Sequence, residues 1–254
     1  MHKLSFLFLF LCIPGLSFSY NNGEDITTPP QRVDLRVKYR TDVNVPQGSD
    51  WTLTVRSDLV FSLPHAWQIS TRADLPYTWY RCQLPEKMLR SLAHWNDSLI
   101  QLFVIPPAMG SWKFGFGAKW VFPTANDHLQ IGEGKYQMLP TCAFRYELDQ
   151  SPGSFMGGLI RYGFSYAGYR SAPSISQLFL QPLLNLNFSH GWFINSSPEI
   201  IYNFVTKCWF IPLDLLIGKM IQKNTVLSLE YSYGIVNDYN QYQQQIEFRV
   251  GYFY

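Results

Sequence analysis

Charged residues recur at every second position near the start of the chain. One face of the stretch RVDLRVKYR carries only charged side chains, namely Arg32, Asp34, Arg36, Lys38 and Arg40. The positions between them are apolar or aromatic. Because successive side chains of a β-strand point to opposite faces, this stretch predicts a strand with one charged and one apolar face. Such a charged face does not suit a dry core, but it suits the wet lumen of a membrane barrel.

The same alternation returns in later segments and predicts a set of lumen-lining residues. Neighbouring strands would place arginine beside aspartate, so we expect Arg–Asp pairs across the first three strands. An acidic side is expected opposite them, and the last strand should lie beside the first. The candidates are Arg36, Arg40, Arg56, Asp58, Arg72, Asp74, Glu199, Asp214, Glu230, Glu247 and Arg249. Two interpretations stay open: the pairs fill and stiffen the barrel, or they line a solute path.

Other kinds of chemistry find less support in the sequence. A lipase-type site needs a histidine beside a serine and an orienting carboxylate. The four histidines beyond the first residues are expected in turns or loops, and they are His65, His94, His128 and His190. The cysteines lack the short spacing of a metal site, and GEGK at 132–135 lacks the rest of a phosphate-loop pattern. We therefore predict no catalytic residue, no metal and no cofactor.

Composition and the first residues indicate an exported membrane protein. Of the 254 residues, 17% are aromatic and only 15% are charged, whereas about 25% charged is usual for soluble domains. The formal net charge of +2 gives no strong field for nucleic acid. Residues 1–19 read as a signal peptide, with a basic start, an apolar run and a cut after Ser19. Residues 20–31 would be an N-terminal periplasmic segment or plug, and 32–254 the barrel.

The segment pattern predicts an all-β fold, a transmembrane antiparallel up-and-down β-barrel of about twelve strands. With both termini in the periplasm, short and long connections alternate as this topology requires. The longest connection is expected around Leu84–Asn96. A soluble β-sandwich also shows alternation, but it would need apolar residues inside and polar residues outside. The charged faces argue against that alternative.

The chain ends on QIEFRVGYFY, in which aromatic and apolar residues alternate up to the last position. Phe248, Tyr252 and Tyr254 share the face expected to contact lipid. This ending resembles the C-terminal signal of outer-membrane proteins, which implies the outer membrane as location, its lipids as surroundings and the barrel-assembly machinery as a partner.

Three stretches resemble a family of outer-membrane transporter-like barrels named after the meta-pathway of phenol degradation, itself loosely similar to long-chain fatty-acid channels. They are FGFGAKWVFPTAND with IGEGKYQMLP, then LFLQPLLNLNFSHGWFINSSPEI, and WFIPLDLLIGKM, in which Asp214 stands where a glycine is usual. The resemblance runs from about Arg32 to Tyr254. It implies an outer-membrane barrel engaged in transport, and it implies no particular solute.

These features together predict a non-enzymatic channel or transporter that passes small solutes, apolar or aromatic ones included, through a polar lumen. The bore of a twelve-stranded barrel is intermediate in width. Side chains fill the interior of eight-stranded barrels, whereas porins with sixteen to eighteen strands leave an open channel. One alternative is a structural or surface-interaction barrel without transport. A weaker alternative is a lipid-acting barrel enzyme.

The predicted topology can be tested with epitope tags. A tag inserted near Lys87 should be accessible to antibody on intact cells, because the third connection is expected outside. A tag near Gln150 should be accessible only after the envelope is opened. The opposite accessibility would mean that the strand count is wrong by one.

Overall fold

The computed structural model describes residues 22–42, 48–83, 89–125, 132–148, 153–238 and 241–254. They form a closed antiparallel barrel with twelve strand positions, which confirms the predicted fold class. The strands are β1 (Arg32–Thr41), β2 (Ser49–Ser62), β3 (Gln68–Gln83), β4 (Leu89–Trp95), β5 (Ser98–Ile105), β6 (Trp112–Phe122), β7 (Lys135–Glu147), β8 (Phe155–Gly168), β9 (Ser176–Asn187), β10 (Trp192–Ser196), β11 (Ile200–Asn203), β12 (Cys208–Gln222), β13 (Thr225–Asn237) and β14 (Gln244–Phe253).

Two of the twelve positions are shared by pairs of short strands. β5 and β4 pair with successive parts of β3, while β10 and β11 both lie between β9 and β12. β1 pairs with β14 from Arg32 opposite Phe253 to Thr41 opposite Gln244, so the sheet closes on itself. We call the end of the barrel near Arg32 and Phe253 the terminal rim, and the other end the far rim.

The predicted long connection at Leu84–Asn96 is wrong in part. β3 continues to Gln83, and β4 pairs back along it from Leu89 to Trp95. The ring centroid of Tyr77 lies 4.8 Å from that of Trp79 and 5.3 Å from that of Trp95. The Tyr77–Trp95 contact crosses from β3 to β4, and such cross-strand aromatic contacts stabilise a hairpin. The turn-forming residues around Pro85 obscured this hairpin in the sequence. His94 therefore lies on a strand, and His128 lies outside the described residues.

The outer face is apolar between two belts of aromatic side chains. Exposed residues between the belts include Leu35, Val55, Ile100, Leu215 and Leu229. Tryptophans near the terminal rim are Trp67, Trp112 and Trp192, and those near the far rim are Trp51, Trp79 and Trp209. Aromatic girdles around an apolar band are the surface pattern of membrane barrels. The short helical turns in the described ranges are neither long nor apolar enough to span a membrane.

The inside of the barrel is partly filled by apolar clusters near its wall. One cluster consists of Phe103, Ile105, Ala143 and Leu159, with Ile26 packed against it. A Cβ at Gly115 would come within 2.3 Å of the Phe103 ring, so the glycine leaves the space that this ring occupies. The FGFG stretch thus has a packing role. Two further apolar clusters are formed by Leu139, Phe179, Ile201 and Phe210, and by Phe193, Leu216, Met220 and Val226.

The in–out assignment can be tested at adjacent residues of β9. Leu180 pairs with the outward Ile160, whereas Gln181 lines the inner cavity. Leu180→Lys places a charge toward lipid and should cost about 2–4 kcal/mol of unfolding free energy if it lies near the midplane. Gln181→Lys should cost clearly less, because its ammonium reaches water. Urea unfolding in lipid vesicles measures both, and equal costs would contradict the assignment.

Candidate functional site in the barrel lumen

The lumen contains a cavity of about 340 Å³. Its lining extends from Arg40 and Tyr242 at the far rim to Gly23 and Ile26 of the N-terminal segment. Of the candidate residues, those that line it are Arg36, Arg40, Arg56, Arg72, Asp74, Glu199, Asp214, Glu230 and Glu247. Asp58 and Arg249 do not line the cavity and are buried, with exposures of 0% and 1%.

Ion pairs join the first three strands. Arg56 donates from Nε to Asp74 Oδ1 at 2.8 Å and from Nη2 to Oδ2 at 2.6 Å. Arg72 makes the same two-pronged contact with Asp58, at 2.7 and 3.2 Å. Asp58 also accepts from Arg32 Nε at 2.5 Å. Two-pronged arginine–carboxylate contacts fix geometry as well as charge, so they hold this part of the wall rigid.

The seam between β1 and β14 carries a second group of pairs. Arg36 donates to Glu247 at 2.9 Å, and Lys38 Nζ lies 3.5 Å from the same carboxylate. Asp34, which is fully buried, is 3.2 Å from both Arg36 Nη2 and Arg249 Nε. These contacts cross the closure of the barrel, so the seam is secured by charge as well as by backbone hydrogen bonds.

The N-terminal segment 22–31 lies inside the barrel near the terminal rim. Glu24 pairs with Arg249 of β14, and Asp25 pairs with Arg145 of β7. Asn22 Nδ2 donates to Asn185 Oδ1 at 2.8 Å, and the Gly23 carbonyl accepts from Arg32 at 2.7 Å. Because β7 and β14 lie on opposite sides of the barrel, the segment crosses the lumen.

Four cationic lining residues were not among the sequence candidates, namely Arg32 and Lys38 of the charged face of β1, Lys119 and Arg161. Lys119 on β6 lines the cavity, and no carboxylate of the described residues lies within ion-pair distance of its Nζ. Arg161 on β8 donates to Thr141 Oγ1 at 3.1 Å and more distantly to Glu199 at 3.4 Å. Period-two alternation would have placed Lys119 inside, but the glycines of its strand weakened that pattern.

The four acidic candidates other than Asp58 and Asp74 occupy the strand positions from β10 and β11 to β14, and they are Glu199, Asp214, Glu230 and Glu247. Asp214 Oδ1 accepts from the Ser197 backbone N–H at 2.7 Å and from Ser196 Oγ at 3.1 Å. Glu230 accepts from the Gln245 side-chain amide at 3.2 Å. The bend between β10 and β11 therefore orients Asp214, and this serine contact was not evident from the sequence.

Two further carboxyls lie at the far rim. Asp97 accepts from the backbone N–H groups of Glu133 at 2.7 Å and Ala125 at 3.2 Å. Burial raises the pKa of Asp97, while the two N–H donors oppose that rise. Burial and the charge of Asp97 also raise the pKa of Glu133. Asp97 thus ties residues 125 and 133 to the start of β5.

The remaining candidates lie away from the cavity. His65 and His190 occupy tight turns at the terminal rim. Across the described ranges, no group of three or more His, Cys, Asp or Glu residues is placed to hold a metal ion. Cys142 and Cys208 are free thiols, and the Cys82 side chain lies outside the described residues. The predicted assembly-signal residues lie exposed on the outer face, and they are Phe248, Tyr252 and Tyr254.

Comparison with solved structures places the barrel among outer-membrane folds. It is similar to an outer-membrane channel from Pseudomonas putida F1, with a TM-score of 0.73 and 12% identity over 91% of this chain and 98% of that chain. It is also similar to the NanC porin, with a TM-score of 0.58 and 11% identity over 87% and 99%. An outer-membrane phospholipase A from Escherichia coli matches at a TM-score of 0.49 and 12% identity over 88% and 97%, too distant to bear on function.

No protein-family model matches the chain, and none of the curated proteins matches it in sequence. At the identities above, the likeness concerns the fold alone.

The shared carboxylate of Asp58 provides a test of the ion-pair network. Asp58→Asn removes the charge that neutralises Arg32 and Arg72, so it should lower the free energy of unfolding by about 3–5 kcal/mol. Glu199→Gln is the control, because Glu199 is 42% exposed and pairs with Arg161 only at 3.4 Å. It should cost no more than about 1 kcal/mol. Equal losses in urea unfolding would mean that the buried network does not stabilise the barrel.

Proposed function

We propose that this chain is a non-enzymatic outer-membrane channel that passes small solutes through its charged lumen. The observation that carries the proposal is the cavity of about 340 Å³, whose lining reaches from the far rim to the N-terminal segment. A barrel that served only as structure would gain stability by filling this space with apolar side chains. Similarity to an outer-membrane channel and to a porin supports the same function.

We extend the proposal to aromatic solutes, because stretches of the chain resemble the group named after the meta-pathway of phenol degradation. An aromatic solute would find apolar contact on one side of the cavity, where Leu159, Ile201 and Phe210 are among the lining residues. Its polar groups would face the charged side chains. Location in the outer membrane, contact with its lipids and insertion by the barrel-assembly machinery belong to the proposal too. The signal peptide at 1–19 lies outside the described residues.

We further propose that the N-terminal segment 20–31 acts as a plug that narrows the path at the terminal rim; residues 20 and 21 lie outside the described part. Its carboxylates Glu24 and Asp25 pair with arginines on opposite walls, which supports this role. A segment held by ion pairs and hydrogen bonds can be loosened without dismantling the barrel. Its removal should therefore widen the path.

Single-channel recording in planar bilayers tests both parts of the proposal. The purified protein should give discrete conductance steps, and the double variant Glu24→Gln with Asp25→Asn should give larger steps, because Arg249 and Arg145 release the segment. The control is Glu147→Gln, which loses a 3.0 Å pair with the same Arg145 but leaves the segment's own carboxylates intact. It should conduct like the parent protein.

Two outcomes would contradict the proposal. Silence of folded parent and double variant alike would favour a structural or surface-interaction barrel. Steps of equal size in parent and double variant would overturn the plug while leaving the channel in place.

A further inference from the structure

We infer that the lumen favours small dipolar solutes, meaning molecules that carry both an ammonium and a carboxylate group. This inference rests on the proposed channel function and adds a class of solute to it. It comes from the charges that remain on the cavity wall once the close ion pairs are set aside.

The excess positive charge lies on the wall formed by β6 and β8. Arg56 and Arg72 line the same cavity, but each is neutralised by a two-pronged contact to an aspartate. Lys119 has no such partner among the described residues, and Arg161 has only the longer contact of 3.4 Å with the partly exposed Glu199. Lys119 pairs across to Leu139, and Arg161 pairs across to Thr141 of the same strand, so the two cations flank β7 two residues apart. They form a site that can accept a carboxylate.

The carboxyl groups of the cavity lining that lack a cationic partner among the described residues lie on β12 and β13. Glu230 stands directly opposite Glu247 in the strand ladder, and Glu247 is already paired with Arg36 and Lys38. Within the described ranges, the Glu230 carboxyl accepts a hydrogen bond only from the neutral amide of Gln245. Asp214 is held by serine donors, with no cation of the described chain in ion-pair contact. The two carboxylates form a site that can accept an ammonium group.

These two walls face each other. Counted either way round the closed barrel, β13 is the sixth strand position from β6. Lys119 and Glu230 therefore lie on opposite walls of one cavity, and the field between them runs across the path. A dipolar solute can align with this field and satisfy both walls at once. An ion of one sign is attracted by one wall and repelled by the other, while a neutral solute gains little.

The size of the cavity sets the scale of the solute. A volume of about 340 Å³ suits a small organic molecule and excludes a folded peptide. Alanine and lactamide are suitable probes because they are isomers of the same mass, and only alanine is dipolar at neutral pH. Their comparison removes the effect of size and isolates the effect of charge separation.

Swelling of proteoliposomes in the two solutes, together with reversal potentials in a KCl gradient, tests the inference. Alanine should enter faster than lactamide. Lys119→Met and Glu230→Gln should each bring the ratio of the two rates close to one. They should also shift the reversal potential in opposite directions, toward cations for the lysine variant and toward anions for the glutamate variant. Lys223→Met, at an exposed turn outside the cavity, is the matched control and should change neither quantity.

The results separate the inference from the channel proposal. If lactamide enters as fast as alanine, or if the two variants leave ratio and reversal potential unchanged, the inference is overturned and the channel stands. If neither solute enters and no conductance is seen, both fail. Asp214→Asn, which should act in the same direction as Glu230→Gln, replaces that variant if it does not fold.

Discussion

A chain that crosses lipid must satisfy its backbone hydrogen bonds internally, because the hydrocarbon offers none. The pairing of β1 with β14, from Arg32 to Thr41, meets this constraint by closing the sheet. Closure then decides the place of every side chain, since each strand residue must face either lipid or lumen. Val33 and Leu35 lie outside, whereas Asp34 and its charged neighbours lie inside. The charged side chains of the strands must therefore form their ion pairs within the narrow lumen.

The lumen holds its charged side chains in two ways. Asp58, shared by Arg32 and Arg72, belongs to a buried network that fixes the wall. Lys119 and Glu230 remain without an opposite charge in ion-pair contact among the described residues, and they face the cavity. Pairing thus stiffens the barrel and leaves a defined pair of opposed charges. In a purely structural barrel, Lys119 and Glu230 would be neutralised as well. In the proposed path, these two residues set the direction of the electric field.

Strand number, faces and seam followed from the sequence because period-two alternation reports them directly. The Arg–Asp neighbours on β2 and β3 followed too, since consecutive strands of a meander must pair. The β4 hairpin did not follow, because Pro85 and its charged neighbours have loop composition, whereas the two strands pair in three dimensions and Tyr77 contacts Trp95 across them. The inward position of Lys119 was not predicted, because it is a single charge on a glycine-rich strand. The contact of Ser197 with Asp214 was not predicted either, because it depends on how the bend between two short strands packs in three dimensions.

Spin labels can report whether a wet, charged lumen lies inside an apolar outer surface. In a variant with Cys82, Cys142 and Cys208 replaced by serine, nitroxide labels would be attached to cysteines at adjacent residues of β5 and β13 in lipid vesicles. Labels at Gln101 and Glu230 should collide with a water-soluble nickel reagent, and labels at Ile100 and Leu229 should collide with oxygen dissolved in lipid. Reversed or uniform accessibility at the two pairs would mean that the lumen is not wet or that the strand faces are assigned wrongly.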